Sequence, residues 1–498
     1  MHLEMSQSGT PTARINNKYL HSKYDPLKEA RLFVNNFIQD KSYSKNKLII
    51  VLEPGLGYLL NELSLIHPQN LIFSVFFHSN TYQYCSEKGV LDNIFSYAPN
   101  MNDSLTTVLD KTLTRLNMRD IIFLEWPASK YLFPDECKHI RYKILEHLRI
   151  LQGNEITKRQ FSKLWICNGI RNYLRHDYST CIASPLDRAV ILAASGPSLE
   201  NHIDRIQELQ KDYFIVALPS SLSILKEYDI IPDILFTTDP GFYAREHLKY
   251  LDPSTLCIAP VTASFRDNQN HLAGINQGSY IESLLFKNNE LPFLAEMGTV
   301  AATALTFLKE ICTHPIYIAG LDFCIKDIKM HAEPHSFKSI ILKNENRFFP
   351  GVSSYFNRAN DMAYKIENHF RYSKSMDTYS AWFRNQKFPD NFLRLSPIQV
   401  NLPFKTKNTI PSISMKGTKQ IVLKRSIHYP NLRERIRKIS ELRSSLNHEL
   451  HQFEKSSVPT QFLNQTSSEL FPEFSISDNP EEIISRMKLF LHKIGQLI

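Results

Sequence analysis

The residues best suited to chemistry cluster near position 330. His331 and His335 stand in Met330-His-Ala-Glu-Pro-His-Ser336. A histidine can take a proton from an acceptor hydroxyl near neutral pH. The H-x₃-H spacing with an intervening glutamate also suits a metal, but Pro334 breaks the regular helix that would align both rings. A surface loop is the third reading for either ring. Just upstream, Gly320-Leu-Asp-Phe-Cys324 closes an apolar run. Asp322 there either orients a catalytic group or closes a turn.

Three further junctions offer binding groups. Ala189-Val-Ile-Leu-Ala-Ala-Ser-Gly-Pro-Ser-Leu199 reads as a buried strand, a tight turn and a helix starting at Leu199. Backbone N–H groups at such a turn lie at a positive dipole end and suit a phosphate. Ser195, Gly196, Pro197 and Ser198 form the turn. Gly196 allows close approach of a ligand, Pro197 fixes the helix start, and Ser198 either caps the helix or donates to phosphate. No Gly-Lys-Ser/Thr follows, so this is not a Walker A loop. Thr237-Thr-Asp-Pro-Gly241 places Thr238 and Asp239 after another strand, where Asp239 binds a ribose or base donor or caps a helix. Met297-Gly-Thr-Val-Ala-Ala-Thr303 offers Gly298 and Thr299 as a second anion site or a plain N-cap. There is no DxD pair to bridge a nucleotide through a metal, and no metal or cofactor is expected.

These groups need a scaffold, and the pattern around them is α/β. Continuous apolar runs predict strands at 189–194, 214–218, 234–237, 256–259, 280–286, 316–319 and 392–395, with helices between several of them. Such alternation predicts a mostly parallel, Rossmann-like sheet covered on both faces, with ligands beyond the carboxyl ends of its strands. An N-terminal α/β domain is expected over 17–150, from strands at 47–52, 71–77 and 121–124 and a helix begun by Asp25-Pro26. Its Gly55-x-Gly57 is half a dinucleotide loop, with Leu60 at the third glycine position. Residues 1–16 are expected to be disordered, 151–185 to form a helical connector, and 186–404 the central domain. Over 405–498, apolar residues at helical spacing (Leu432, Ile436, Ile439, Leu446, Leu450 and Phe453; Ile484, Met487, Leu491 and Ile494) predict a small helical domain or a dimer seam. The basic residues Arg433, Arg435, Arg437, Lys438 and Arg443, interrupted by Glu434 and Glu441, read as a solvated face.

The whole chain has 498 residues and a formal net charge of +8. That charge permits an anionic ligand without requiring nucleic acid, so no nucleic-acid partner is expected. No apolar run reaches the roughly 20 residues of a membrane span, and no secretion signal core is visible. Seven scattered cysteines without a CxxC pair suggest reduced thiols in a cytoplasm and no structural zinc.

The order of the junctions resembles a known family. Ala-Ser-Gly-Pro-Ser-Leu, then Ile-Pro-Asp-Ile-Leu-Phe-Thr-Thr-Asp-Pro, Gly-Thr-Val-Ala-Ala-Thr-Ala, Pro-Ile-Tyr-Ile-Ala-Gly-Leu-Asp-Phe and a histidine-bearing loop look like the Maf (motility accessory factor) flagellin glycosyltransferases. Their central domain is similar to MptE-type 6-hydroxymethylpterin diphosphokinases and to bacterial sialyltransferases. His21-Ser-Lys-Tyr-Asp-Pro26 and Glu53-Pro-Gly-Leu-Gly-Tyr58 look like the Maf N-terminal region. The resemblance implies an inverting, metal-independent transfer of a nonulosonic acid from a CMP-activated donor to Ser/Thr hydroxyls of flagellin. It implies that Ser195, Gly196 and Ser198 line the CMP site and that Asp239 contacts the nucleotide. Gly298 and Thr299 would then lie near the phosphate, with His335 as general base and His331 second. Sialyltransferases carry a tyrosine for the leaving phosphate where this chain has Cys324, which leaves Tyr355, Arg358 and Arg371 as candidates for that role. An ATP- and Mg²⁺-dependent MptE-like diphosphokinase, with Asp239 and Asp322 holding the metal, is the first alternative. A non-catalytic flagellin-binding assembly factor is the second.

Overall fold

The computed structural model describes the chain except residues 16, 39–46, 67–69, 114–120, 267–270, 287–289, 344, 349, 414–416, 426–428 and 473–478. The chain divides into two compact units, Met1–Glu155 and Ile156–Ile498.

The first unit opens with β1 (His2–Met5), β2 (Pro11–Ile15) and β3 (Lys18–Tyr19), an antiparallel sheet in which His2 pairs with Arg14 and Arg14 with Tyr19. This corrects the expectation of disorder over 1–16 for residues 1–15; residue 16 lies outside the described residues. Ala13 is fully buried, and Thr12 Oγ1 donates to His21 O at 3.0 Å, so the segment is tied down by packing rather than by an apolar run. The helix α1 (Pro26–Ile38) follows, and Asp25 caps it by accepting the Lys28 N–H at 3.0 Å. Next come β4 (Leu48–Leu52), α2 (Tyr58–Ile66), β5 (Leu71–Val75), α3 (Ser79–Glu87), β6 (Phe95–Tyr97), α4 (Leu105–Leu113), β7 (Ile121–Glu125) and α5 (Pro127–Leu132). The four strands form a parallel sheet in the order β6-β5-β4-β7.

The expected boundary near 150 and the connector over 151–185 fall on one continuous helix, α6 (Pro134–Arg175), 42 residues long, followed by β8 (Thr180–Ile182).

The second unit is built on β9 (Val190–Ala193). After it come α7 (Ile203–Leu209), β10 (Phe214–Ala217), α8 (Leu222–Glu227), β11 (Ile234–Phe236), α9 (Phe242–His247), β12 (Leu256–Ala259), β13 (Leu272–Gly274), α10 (Tyr280–Leu285), α11 (Val300–Ile311) and β14 (Ile316–Ala319). An inserted layer follows: β15 (Ile325–Lys326), α12 (Lys338–Lys343), α13 (Gly351–Asp361), β16 (Ala363–Glu367), β17 (Phe370–Ser373) and α14 (Lys374–Arg384). The chain then returns to the main sheet through β18 (Phe392–Leu395) and β19 (Lys405–Lys407), and β20 (Leu423–Arg425) pairs with β8. It ends in α15 (Leu432–Ser456), α16 (Gln461–Leu470) and α17 (Pro480–Gly495).

The main sheet runs β13-β12-β11-β10-β9-β14-β18-β19, with every pairing parallel. Alternation along each strand splits its side chains between two cores. Val190, Leu192, Phe214, Val216 and Ile318 pack with Ala302, Leu305 and Leu308 of α11 and Phe383 of α14. Ile191, Ala193, Ile215, Ala217 and Ala319 pack with Ile166 and Ile170 of α6, Ile203 and Ile206 of α7, and Ile439, Leu446, Met487 and Leu491 of the terminal helices.

The C-terminal tail is therefore a layer of the central unit, with Ile439, Leu446, Leu450, Phe453, Met487, Leu491 and Ile494 buried and Leu432 exposed. It packs as part of that unit rather than as a separate helical domain. Arg435, expected on a solvated face, is buried and donates to Tyr173 O and His176 O at 2.5 Å. Residues 280–286, expected as a strand, form α10. Ser279 and Glu282 make a reciprocal capping box there, a signal that outweighs the short apolar run. Among the described residues no helix is long and apolar enough to cross a membrane.

Candidate functional site

Beyond the carboxyl ends of β9 and β14 the chain makes two turns that are zipped together. Gly196 N–H donates to Gly320 O at 2.7 Å. Ser198 N–H donates to Asp322 Oδ2 at 2.7 Å, and its hydroxyl donates to Asp322 Oδ1 at 2.5 Å. A Cβ on Gly196 would stand 2.5 Å from both Asp322 Oδ2 and Gly320 O. Gly320, at φ +71°, would put one 2.4 Å from Ala194 O. These glycines are needed because two backbones meet.

The Ser195–Ser198 turn thus spends the donors expected to cradle phosphate. It also leads into a short 3₁₀ turn (Pro197–Asn201) before α7, so no α-helix N-terminus lies at Ser198. Asp322 is buried, with both oxygens engaged by Ser198, and burial raises its carboxyl above the ordinary range against those hydrogen bonds. It closes a turn, which was the second of its two expected roles.

The side chain left facing outward from this knot is Ser195, whose Oγ lies 3.0 Å from His331 Nδ1. The His331 ring stacks on His335, with centroids 4.1 Å apart and planes at 9°. No helix passes through this loop. His335 meets the edge of His247 at 5.2 Å, and Phe337 packs on both His335 and His247 at 4.8 Å. His247 Nδ1 is hydrogen bonded to Ser336 Oγ.

Burial holds all three imidazoles neutral at pH 7. His331 and His247 are pulled down to about 4 and His335 to about 2, the neighbouring imidazoles and Arg358 adding to the effect on His335. His335 Nε2 is buried without a hydrogen-bond partner. Its Nδ1 accepts the Phe337 N–H at 3.4 Å, which favours the neutral tautomer with the proton on Nε2.

Arg358, exposed on α13, lies close enough to disfavour protonation of His331 and His335. Tyr355, one turn before it, has a buried hydroxyl without a partner. Arg371 instead donates to Asn360 Oδ1 at 3.0 Å and to Asp327 O. Of the three residues offered for the leaving phosphate, Arg358 lies near the histidines, Tyr355 lies near Glu333 and Arg358, and Arg371 braces the inserted sheet.

The remaining junctions lie on the same rim. Asp239 Oδ1 accepts the Gly241 N–H at 2.7 Å, a local turn bond, and does not cap α9. Thr238 is half-buried beside it. Thr299 caps α11 by accepting the Ala302 N–H at 3.0 Å. Gly298, at φ +74°, stands in open space with nothing near its Cβ position. This α-helix start is open.

The sequence reading missed His247, more than 80 residues from its partners, and the aromatic contact of Phe337. Only three-dimensional proximity reveals them. In the first unit, Gly55-x-Gly57 is filled from inside. His21 Nε2 accepts the Leu56 N–H at 2.8 Å and would lie 2.3 Å from a Cβ on Gly55. Burial pulls His21 down to about 3, so the ring stays neutral. Gly55 accommodates that histidine and Gly57 accommodates Val90, so this turn is filled by the protein's own side chains.

Comparison with known proteins agrees with this architecture. Residues 168–327 match the family described as 6-hydroxymethylpterin diphosphokinase MptE-like. A protein of Treponema pallidum (strain Nichols), described as uncharacterized, is 29% identical over 272 residues. That match covers 52% of this chain and 56% of the relative, so the chain aligns with little more than half of the relative's length. The solved MAf glycosyltransferase of Magnetospirillum magneticum AMB-1 is similar over 99% of this chain and 90% of its own, with TM-score 0.56 and 12% identity. The chain therefore carries an MptE-like region within the fold of the MAf glycosyltransferase.

Proposed function

We propose that the protein is an inverting glycosyltransferase that moves a nonulosonic acid from a CMP-activated donor to Ser/Thr hydroxyls of flagellin, without a metal. The observation that carries this reading is the buried, neutral Ser195–His331–His335 cluster at the carboxyl ends of adjacent parallel strands, where α/β sheets place ligands. The fold shared with a MAf glycosyltransferase supports it.

In this reading the acceptor oxygen attacks the anomeric carbon as the bond to the CMP phosphate breaks. The bonding electron pair leaves on the phosphate, and the acceptor proton goes to an imidazole. The resemblance ranks His335 first as base, but the Phe337 N–H on its Nδ1 favours His331 for that role. Ser195 holds His331 Nδ1, and its Nε2 takes the proton when Nδ1 donates to Ser195. His335 then donates from Nε2 to negative charge on the leaving group, as a neutral imidazole can. Arg358 and Tyr355 add positive charge and a hydroxyl donor on that side. Gly298 and Thr299 at the start of α11 receive the phosphate in place of the Ser195–Ser198 amides, with Thr238 and Asp239 toward the nucleoside.

Base catalysis contributes about 10²–10⁴-fold. The acid limb of the pH–rate profile should persist, at lower rate, in His335→Gln and disappear in His331→Gln. The opposite pattern returns the base role to His335.

The family description of residues 168–327 favours a second reading, a diphosphokinase using ATP and Mg²⁺. Asp322, one of the two carboxylates it would need, is occupied by Ser198. Calorimetric titration with CMP and with ATP, each with and without Mg²⁺, separates the two. Metal-indifferent CMP binding supports the glycosyltransferase. ATP binding that needs Mg²⁺ supports the kinase, and binding of neither leaves a flagellin-binding factor.

A further inference from the structure

A second cavity lies on the same rim, apart from the histidines. Its volume is about 370 Å³, and Trp165, Gln277, Ser279, Tyr280, Glu296 and Glu469 are among its walls. Gln277 follows the carboxyl end of β13, and Glu296 lies two residues before Gly298. The two wall segments are tied together: Asn276 N–H donates to Pro292 O, and Leu294 N–H to Asn276 O, both at 2.8 Å. Trp165 comes from α6, whose next turns are fastened over the rim. Asn168 donates to Pro240 O at 3.0 Å, and Asn172 to Val261 O and Ala263 O at 2.7 Å. Four strand spacings separate β13 from β9, roughly 19 Å. The Gln277 wall is therefore well removed from Ser195, while the Glu296 wall comes within two residues of Gly298, on the edge along which an acceptor would lie.

Its chemistry is that of a carbohydrate site. A tryptophan offers a flat apolar face for the C–H side of a pyranose. Beside it stand the Gln277 amide and the Glu296 carboxylate, able to pair with ring hydroxyls, while the wall hydroxyls of Ser279 and Tyr280 are already bonded to Glu282 and Thr466. The Gln277 amide nitrogen is buried without a partner, so it presents donors that only a ligand or water would use. Inside the cavity the Glu296 carboxylate disfavours a phosphate or a sugar acid, so a donor phosphate held at Gly298 and Thr299 lies outside its walls.

We infer that the cavity bounded by Trp165, Gln277 and Glu296 is a subsite for a neutral pyranose. This goes beyond the proposed transfer reaction and does not depend on which sugar the donor carries.

The test uses the full chain, titrated with methyl α- and β-glucoside, methyl galactoside and N-acetylglucosamine while tryptophan fluorescence is followed. The chain has three tryptophans, so the Trp165→Phe variant assigns the signal. At least one neutral sugar should bind saturably. Gln277→Ala, which removes no hydrogen bond of the protein, should weaken that binding at least fivefold, and Trp165→Ala at least tenfold. CMP affinity should be unchanged in both. No saturable binding to any neutral sugar up to 50 mM, or undiminished binding in Trp165→Ala, overturns the proposal. So does preferential binding of methylamine. CMP titration of the same samples shows separately whether the donor reading holds.

Discussion

Two glycine turns on one rim, Ser195–Ser198 after β9 and Met297–Thr299 before α11, look alike in sequence and behave oppositely. In the first, backbone donors and the serine hydroxyl are consumed by Gly320 and Asp322, and a Cβ on its glycine would collide at 2.5 Å. In the second, a side chain caps the helix, and the glycine faces open space. A glycine before a helix thus has two physical causes: chain against chain, or chain held open. Only the second leaves amides for an anion.

Breaking the closed turn should have the largest effect. Asp322→Ala leaves the buried N–H and O–H of Ser198 without an acceptor, at about 2–5 kcal/mol. The denaturant midpoint of the second unit should fall accordingly. Asp322→Asn, which keeps one acceptor oxygen, should lose less. Gly196→Ala should cost a similar amount by forcing the two turns apart. A fully stable Asp322→Ala protein would mean that Ser198 is satisfied elsewhere and the turn is not closed.

The next effect is one of pH and concerns the imidazoles that the closed turn supports. His331, His247 and His335 have folded values near 4, 4 and 2, below the ordinary 6.5. At pH 7 and above both states are neutral, and the stability is fully present. As pH falls below 6.5, the unfolded chain binds protons that the folded cluster refuses, so stability is lost progressively toward those folded values. Each proton contributes up to about 1.4 kcal/mol per pH unit. Scanning calorimetry at pH 7.5, 6 and 5 should show the midpoint flat at first and then falling. The His247→Gln/His331→Gln/His335→Gln variant should fall less steeply. Parallel curves would mean that the rings protonate freely in the folded protein.

How legible was this in the sequence? Most of the parallel strands were, because fully buried strands demand continuous apolar runs, and the run at 189–194 places β9 within one residue at each end; the three-residue strands β6, β13 and β19 carry no such run and were missed. The tail helices were legible as helices but not as a layer, since an apolar face does not say what covers it. The strand expected at 280–286 failed because a short apolar run fits either period, and the Ser279–Glu282 box decides for helix. At the site, Ser195, His331 and His335 were each legible as candidates, but their convergence is a matter of the fold. His247 is invisible in one dimension, and the sequence of the Gly196 turn fits an open phosphate loop and a plain strand-to-helix turn equally. What closes it is Asp322, more than 120 residues away.

The smallest predicted effect sharpens the comparison most. Thr299→Ala removes the cap bond to Ala302 N–H and should cost about 1 kcal/mol. Gly298→Ala meets no steric obstacle, so its cost is only that of holding a non-glycine residue at φ +74°, about 1–2 kcal/mol. Both proteins should therefore fold, unlike a severely disrupted Asp322→Ala, and can be titrated with CMP. If the start of α11 receives the phosphate, a methyl group at position 298 crowds the approach, and CMP affinity should fall threefold or more. Thr299→Ser, which keeps the cap, should leave it unchanged. Unaltered affinity in Gly298→Ala would remove the contrast between the turns: both would then serve the fold alone, and the anion would have to be held by Arg358 and the histidine loop.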